Sequence, residues 1–311
     1  MFDKLLYRIR EIMKLVMKAV ILIMTLVSAR AYVETVFEEN SLKMVSINFQ
    51  EDAIFPVTST LLYSKTSAIL FDAQFSLKEA EKLVNIIKET QTTPTSIIIT
   101  CGDPDYYFGL EAIVKAYSSV RVEILASSKV VNHINQTKDA KLKTWAPQLG
   151  NTAPDKLYVP KPIDTLTFYF DNTKQIQMME IDSYAAYVWI PENKIILGGV
   201  GISWNIHVWA ADTQTLEMRL NWRQVLQKMI ELQPKSVIPG HFIGERPLVG
   251  DEAIRFTLRY LESLEEVLKQ NNYENSAAVI SSMKAKYPNL GEESNLELSA
   301  KVLTGEMTFS K

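Results

Sequence analysis

Four residues of types that bind metal ions lie in two short segments of the chain. Cys101, Asp103 and Asp105 alternate along one loop after a run of apolar residues, and His241 follows a Pro-Gly pair far downstream. Thiol, carboxylate and imidazole groups together suit one transition-metal ion such as zinc. The loop leads from a buried strand into a helix, where polar side chains converge on a cleft. We therefore predict a site here, with Asp105 as its catalytic candidate.

The loop resembles the metal-binding segment of a known enzyme family. Residues 99–110 read ITCGDPDYYFGL, which is similar to the T-H-x-H-x-D-H-x-x-G loop of the metallo-β-lactamase-fold hydrolases, and closely to versions written T-H-x-H-P-D-H-Y-F-G. Six positions match, namely Thr100, Pro104, Asp105, Tyr107, Phe108 and Gly109. The three histidine positions differ and hold Cys101, Asp103 and Tyr106.

Four further segments carry the same resemblance in chain order. They are Leu70-Phe71-Asp72, Trp189-Ile190-Pro191 with the following run 195–199, Asn205-Ile206-His207-Val208-Trp209, and Ile238-Pro239-Gly240-His241. Together with the loop they extend over about residues 45–245, which makes the resemblance more specific than any one motif. It implies an α/β fold, a metallo-β-lactamase-like αββα sandwich, here with a helical C-terminal extension.

In that family the site holds one or two zinc ions that activate a water molecule for hydrolysis. A catalytic zinc ion needs about three protein ligands. Of the family's ligands only Asp105 and His241 are kept in this sequence. Ile181 stands near the position of the middle histidine and Val200 where a bridging aspartate is usual, and neither side chain binds a metal. The resemblance thus implies a hydrolase-type site most of whose ligands are replaced.

Three interpretations of this site follow from the residues. In the first, the metal is lost and the cleft binds a small-molecule ligand. In the second, one zinc ion is held by Cys101, Asp103, Asp105 and His241, with Asp182 nearby, and the protein hydrolyses an ester, lactone or amide. The cofactor is therefore either none or one zinc ion. In the third, Cys101 and His241 form a nucleophile pair. Asp103 and Asp105 also suit a plain role as caps of the following helix.

Aromatic and polar residues near these motifs are expected to line the cleft. The candidate ligand-binding residues are Tyr106, Tyr107, Asp182, Tyr184, Trp204, His207 and Trp209. His133 lies on a predicted helix and is expected at the surface.

The elements that must position these residues follow from the spacing of apolar side chains. Short apolar or alternating runs predict strands at 57–63, 68–71, 96–100, 120–125, 184–190, 195–198 and 234–239. Helical spacing predicts helices at 76–88, 109–116, 129–135, 216–232, 252–270 and 276–287. Ser76 with Glu79 three residues later predicts a capping box at the start of the first helix.

The first 31 residues have the pattern of a signal peptide. Basic residues precede the apolar run 19–27, and Ala29-Arg30-Ala31 supplies a small-x-small cleavage site, which gives a mature chain from Tyr32. The apolar run is shorter than the roughly 20 residues that span a bilayer, and an uncleaved anchor is the alternative. We therefore expect a secreted or periplasmic protein with no membrane span after cleavage.

The charge and the cysteine content of the chain limit the classes of binding partner and of covalent cross-link that we expect. Removal of residues 1–31 deletes six basic and two acidic residues, which leaves 27 against 34 and a net charge of −7. Without a basic block, a small molecule is the expected partner and nucleic acid is not. Cys101 is the single cysteine, so no intramolecular disulfide forms. We divide the chain into the signal peptide 1–31, one domain over 32–250, and the extension 251–311 packed on that domain.

Overall fold

The computed structural model describes residues 31–39, 41–182 and 184–308, so the predicted signal peptide lies outside the described residues. Seven strands form the first sheet in chain order. They are β1 (Tyr32–Glu39), β2 (Leu42–Asn48), β3 (Thr58–Tyr63), β4 (Ala68–Phe71), β5 (Ser96–Ile99), β6 (Glu123–Ser127) and β7 (Lys161–Ile163). Strands β1 to β4 pair antiparallel, and β4 to β7 pair parallel. The parallel strands need crossover connections, and helices supply them.

The second sheet has the order β13-β11-β10-β9-β8. Its strands are β8 (Thr167–Phe170), β9 (Lys174–Glu180), β10 (Ala186–Ile190), β11 (Ile195–Leu197) and β13 (Ser236–Ile238). A separate parallel pair joins β12 (Ser203–Trp204) to β14 (His241–Phe242), with Ser203 in register with His241. This short pair places two polar residues from distant parts of the chain side by side.

Eight helices are described. They are α1 (Leu77–Glu89), α2 (Pro104–Tyr107), α3 (Leu110–Ala116), α4 (Ser128–Leu149), α5 (Leu216–Glu231), α6 (Glu252–Gln270), α7 (Ser276–Lys286) and α8 (Glu293–Leu303). The predicted capping box at Ser76 is present, with the backbone N–H of Glu79 donating to Ser76 Oγ at 3.1 Å and the Glu79 carboxylate accepting from the Ser76 N–H at 3.0 Å. None of the helices in the described ranges is long and apolar enough to cross a membrane.

Alternate residues of the central strands face two different layers. Leu61 and Leu70 belong to the apolar cluster that includes Leu83 of α1. Leu62, next in the chain, belongs to a second cluster with Val188 of the other sheet. Because successive side chains of a strand point to opposite faces, the two sheets pack face to face and the helices cover their outer faces. This is the αββα sandwich that the sequence predicts.

The C-terminal helices share the core of the sandwich. The apolar cluster that contains Leu61 and Leu70 of the first sheet also contains residues of these helices. They include Tyr260 and Leu264 of α6 and Leu296 of α8, all of them buried. Arg219 of α5 pairs with Glu265 of α6 at 2.8 Å, with both side chains almost completely buried. Helices α6 and α8 therefore cover the sandwich and share its core.

One helix is much longer than the sequence prediction. We expected a helix over 129–135, whereas α4 continues to Leu149 with Pro147 in its last turn. The extra turns bury Thr137 and Leu149 and pack Leu142 and Trp145 against the core, which continues the helical spacing of Val130 and Ile134. These turns also carry residues of the site.

Candidate functional site

The predicted loop is anchored where it leaves β5. Thr100 donates its backbone N–H to Asp72 Oδ1 at 2.8 Å, and its hydroxyl lies 2.8 Å from Asp72 Oδ2. Burial raises the pKa of Asp72 to about 8, against the opposing effect of the two hydrogen bonds from Thr100. Asp72 has a positive φ of 61° at the end of β4. This contact fixes the start of the loop that carries Cys101, Asp103 and Asp105.

Asp105 and His241 form the first pair of the site. Asp105 Oδ2 lies 2.8 Å from His241 Nε2, and the Tyr106 hydroxyl lies 3.2 Å from His241 Nδ1. With the ring neutral, the bonds are satisfied when Tyr106 donates to Nδ1 and the Nε2–H donates to Asp105. Burial, followed by the charge of Asp105, raises the pKa of Tyr106 well above its usual value. Both nitrogens of His241 are thus engaged by the loop.

Asp103 and Lys141 form the second pair. The ammonium group of Lys141, from α4, contacts Asp103 Oδ1, and its nitrogen lies 3.2 Å from His133 Nε2. The Asp103 and Lys141 side chains are only 15% and 13% exposed. Burial acts to raise the pKa of Asp103, but the Lys141 charge outweighs it and the pKa is lowered. Burial likewise acts to lower the pKa of Lys141, and Asp103 more than reverses this. Both groups are therefore held in their charged forms.

Cys101 lies beneath the second pair. It is fully buried, its Sγ accepts from the backbone N–H of Asp103 at 3.4 Å, and the thiol lies 3.5 Å from Asp103 Oδ2. Burial, followed by the charges of Asp103 and Asp105, raises the pKa of Cys101 well above its usual value. A neutral thiol is a poor nucleophile, so this environment does not favour the Cys101–His241 nucleophile pair.

The two charged pairs border a cavity of about 310 Å³. Asp103, Asp105, Lys141 and His241 lie at its polar side. Aromatic side chains supply much of the remaining wall, namely Phe55, Phe75, Trp145 and Trp209. A mostly apolar enclosure with a few converging polar groups is the usual form of a small-molecule site.

A second cavity of about 270 Å³ adjoins the first, and both include Val200, Trp209 and Asp212 in their walls. The Trp209 indole N–H donates to Asp212 Oδ2 at 2.5 Å, so these two side chains form part of the partition. Asp182 and Tyr184 line the second cavity. The two cavities are neighbouring compartments of one cleft.

The residues present do not fit a zinc ion. Asp105 Oδ2 and His241 Nε2 are hydrogen-bonded to each other, and the ammonium group of Lys141 already neutralises Asp103. Ile181 and Val200 add apolar side chains at the cavity walls. Within residues 31–39, 41–182 and 184–308, no group of three or more His, Cys, Asp or Glu side chains has an arrangement suited to a metal. A lysine side chain supplies the positive charge instead.

The structure brings together only some of the predicted site residues. Of the four candidate metal ligands, Asp103, Asp105 and His241 line the first cavity, whereas Cys101 lies below its surface. Of the candidate ligand-binding residues, Asp182, Tyr184 and Trp209 line the second cavity, and Trp209 also lines the first.

Four predicted ligand-binding residues lie outside both cavities, which corrects the expectation for them. Tyr106 is fully buried beneath His241, and Tyr107 is 1% exposed. Trp204 donates its indole N–H to the carbonyl of Glu245 at 2.8 Å and packs on Phe256. His207 is buried, with Nδ1 3.0 Å from the Tyr260 hydroxyl. Their neighbours in the core and in α6 determine these positions.

Two further expectations need correction. His133 is half-buried beside Lys141, with its ring 5.1 Å from that of Tyr184, and is not a plain surface residue. Asp103 occupies the N-cap position of α2, but its side chain makes no capping hydrogen bond, and Asp105 lies within the first turn. The side chains of Lys141 and His241 bind these two carboxylates instead.

Several polar residues of the first cavity were not predicted, among them Lys141, Ser203 and Asn295. Lys141 lies on the unpredicted part of α4, two turns after His133, and the continued apolar spacing of that helix was the available signal. Ser203 arrives through the β12–β14 pair and Asn295 through α8, and both line the cavity. Neither carries a local sequence signal, because each depends on a contact between distant segments.

The layers and the sheet order form an αββα sandwich, and solved metallo-β-lactamases are similar to this chain in fold. Similar solved structures include a metallo-β-lactamase from Pontibacter korlensis, with 17% identity, a TM-score of 0.48 and coverage of 74% of this chain and 99% of that one. Another is FIM-1 from Pseudomonas aeruginosa in its mono-zinc form, with 17% identity, a TM-score of 0.49 and coverage of 75% and 96%. No family model matches the sequence, and no curated protein matches it significantly.

Proposed function

We propose that this protein is an exported, metal-independent binding protein that holds a small molecule in the cleft of a metallo-β-lactamase fold. The observation that carries the proposal is the pairing of the would-be metal ligands with other side chains of the chain. Asp105 is bonded to His241, and Asp103 to Lys141. Because Lys141 already gives Asp103 a cationic partner, this buried carboxylate gains little from a second cation.

The cavity itself supports ligand binding. Its volume of about 310 Å³ falls in the range of small-molecule sites, and aromatic side chains form much of its wall. The C-terminal extension contributes Asn295, Met307 and Thr308 to the same wall. An enclosure assembled from loops of the sandwich and from the extension can surround a ligand on several sides.

A zinc-dependent hydrolase of esters, lactones or amides is the rival function. One observation favours it, since Asp103, Asp105 and His241 line a single cavity. It requires Lys141 to leave Asp103 and the bond between Asp105 and His241 to break before a metal binds. The cost of separating two buried pairs weighs against this function.

The distinguishing experiment is a measurement of zinc content. The chain from Tyr32 is purified without chelator, equilibrated with zinc, dialysed and analysed for metal, together with the variants His241→Ala and His207→Ala. His207 is the matched control, because it is buried and lies outside both cavities. We expect far less than one zinc ion per chain in all three proteins, and no chelator-sensitive hydrolysis of a generic ester.

One tightly held zinc ion per chain that is lost in His241→Ala but kept in His207→Ala would establish the rival. Export is tested separately by fractionating the cells that produce the full chain and sequencing the N-terminus of the exported protein. We expect it to begin at Tyr32, where β1 also begins. An N-terminus upstream of residue 19 would instead indicate the uncleaved anchor.

A further inference from the structure

Three oxygen atoms of the first cavity have no hydrogen-bond partner in the part of the chain that the structure describes. They are Asp105 Oδ1, Ser203 Oγ and Asn295 Oδ1, and all three residues line this cavity. Each residue is less than a tenth exposed, at 8%, 4% and 6%. Some side-chain oxygen and nitrogen atoms of this protein are completely buried and have no hydrogen-bond partner, but these three oxygens are not among them. Each of the three is therefore partly accessible. Polar atoms held in this way are suited to bind a ligand.

The backbone and side-chain contacts hold these oxygens in place. Asp105 is fixed through its other oxygen by His241, and Asn295 donates its amide N–H to the carbonyl of His207 at 3.1 Å. Ser203 is fixed through its backbone, which exchanges hydrogen bonds with the Thr257 hydroxyl at 3.0 Å. In each residue one group anchors the side chain or backbone, and a different oxygen stays available.

The polar side of the cavity accepts hydrogen bonds more readily than it donates them. The N–H donors of His241 and Trp209 are bonded to carboxylates, and the Lys141 ammonium contacts Asp103 and His133. Asp105 and Asn295 present acceptors, and the Ser203 hydroxyl can accept as well as donate. Three carboxylates line the cavity against a single lysine. A matching ligand therefore brings N–H donors and a positive charge.

Aromatic side chains form the apolar part of the cavity wall. Phe55, Phe75 and Trp145 contact one another with ring centroids 5.2 to 5.6 Å apart, and all three line the cavity. Trp209 lines the same cavity. Aromatic faces bind apolar groups and also attract organic cations.

We propose that the ligand of this cavity is a primary amine on an aromatic or alkyl body. Its ammonium group would donate hydrogen bonds to Asp105, Ser203 and Asn295, and its apolar body would pack against the aromatic cluster. This inference rests on the proposed function, since it names the ligand class of the same cleft. An ammonium group has three N–H donors, which matches the three available oxygens.

Three probes with one carbon skeleton test the ligand class. Calorimetric titration at neutral pH compares 2-phenylethylamine, 2-phenylethanol and phenylacetate, which carry a positive, neutral and negative polar end. We expect the amine to bind about tenfold or more tightly than the alcohol, since a hydrogen bond to a charged group is stronger than a neutral one. Phenylacetate should bind most weakly, because its charge repels Asp105.

Matched variants locate the site. Ser203→Ala removes one acceptor and leaves the Asp105–His241 pair in place, and Asp105→Asn removes the charge at nearly constant shape. Both should weaken amine binding severalfold with little effect on the alcohol. Glu231→Gln is the control, because Glu231 is exposed at the end of α5 and lines neither cavity. It should leave amine affinity unchanged, and melting curves verify that every variant is folded.

The outcomes separate this inference from the proposed function. Equal or tighter binding of phenylacetate or the alcohol would overturn the amine inference while leaving a small-molecule cleft. Amine binding that survives both Ser203→Ala and Asp105→Asn would overturn it as well. Failure of all three probes to bind at about 10 mM, where even a millimolar complex forms, would count against both proposals.

Discussion

Replacement of Lys141 by methionine should lower the stability of the protein by about 3 kcal/mol. Methionine keeps the length and apolar stem of the side chain but leaves Asp103 without its cationic partner. Loss of one partner from a buried ion pair costs about 3–5 kcal/mol, because the remaining charge is poorly solvated. We take the lower end of that range, since the two side chains are 13% and 15% exposed and water reaches them in part.

Urea unfolding measures this loss directly, and thermal unfolding should show it as a melting temperature about 5 °C lower. Lys129→Met is the matched control on the same helix. Lys129 pairs with Glu180 at 2.6 Å, but the two side chains are 53% and 35% exposed. An exposed pair contributes at most about 1 kcal/mol, so this variant should change stability little.

A double-mutant cycle gives the test that can refute the reasoning. Asp103→Asn removes the charge that Lys141→Met leaves unpaired, so the double variant should be more stable than the sum of the two single losses predicts, by about 2 kcal/mol. Strictly additive losses, or a Lys141→Met variant as stable as the Lys129→Met control, would show that the pair does not hold the loop.

The pH dependence of the pair follows from its two pKa shifts. The pKa of Asp103 is lowered, so its contribution is present above the unfolded value of about 3.9 and is lost as the pH falls through the folded value. The pKa of Lys141 is raised, so its contribution is present below about 10.4 and is lost as the pH rises through the folded value. In Lys141→Met, burial of Asp103 is no longer offset by the lysine, so the loss of stability relative to the wild type, measured by urea unfolding, should be smaller near pH 4 than near pH 7.

Three further changes test other contacts of the site. The raised pKa of Asp72, about 8, means that its contribution to stability declines as the pH rises from about 4 to 8, so Asp72→Asn should flatten urea-derived stability over that interval. Tyr106→Phe removes the hydroxyl 3.2 Å from His241 Nδ1 and should cost about 1 kcal/mol in the same assay. Gly240→Ala places a Cβ 1.9 Å from the carbonyl oxygen of Gly199 and should cost about 3 kcal/mol or abolish soluble expression. Unchanged unfolding curves for these variants would contradict the contacts described.

Many strands of the two sheets could be predicted, because apolar and polar residues alternate along a strand with a period of two residues. The runs at 57–63 and 195–198 gave β3 and β11 nearly in full, and the Ser76 box gave the start of α1. The sequence order of the motifs then determined how the two half-sheets combine. The first hairpin, β1 and β2, carried charged residues that masked its alternation, since β1 is half exposed along its length.

The residues of the site were harder to predict, because contacts between distant segments of the chain determine which side chains line the cavity. Asp105 and His241 follow from the motif, but Lys141, the partner of Asp103, lies on a part of α4 that was not predicted to be helical. A lysine on a helix is usually a solvated surface residue, and only the folded position of Lys141 reveals its role. The aromatic residues near the motif were predicted to line the cavity, but Tyr106 and Tyr107 are buried in the hydrophobic core.

The Lys141 ammonium has a property that a metal ion in the same place lacks, because it is covalently part of the chain. A bound ion stabilises a protein by mass action, so the effect depends on the free concentration of the ion and on competitors that sequester it. A lysine is present at a constant effective concentration in every molecule, whatever the surroundings. The contact between Lys141 and Asp103 therefore forms whenever α4 folds against the loop, and no chelator can remove it.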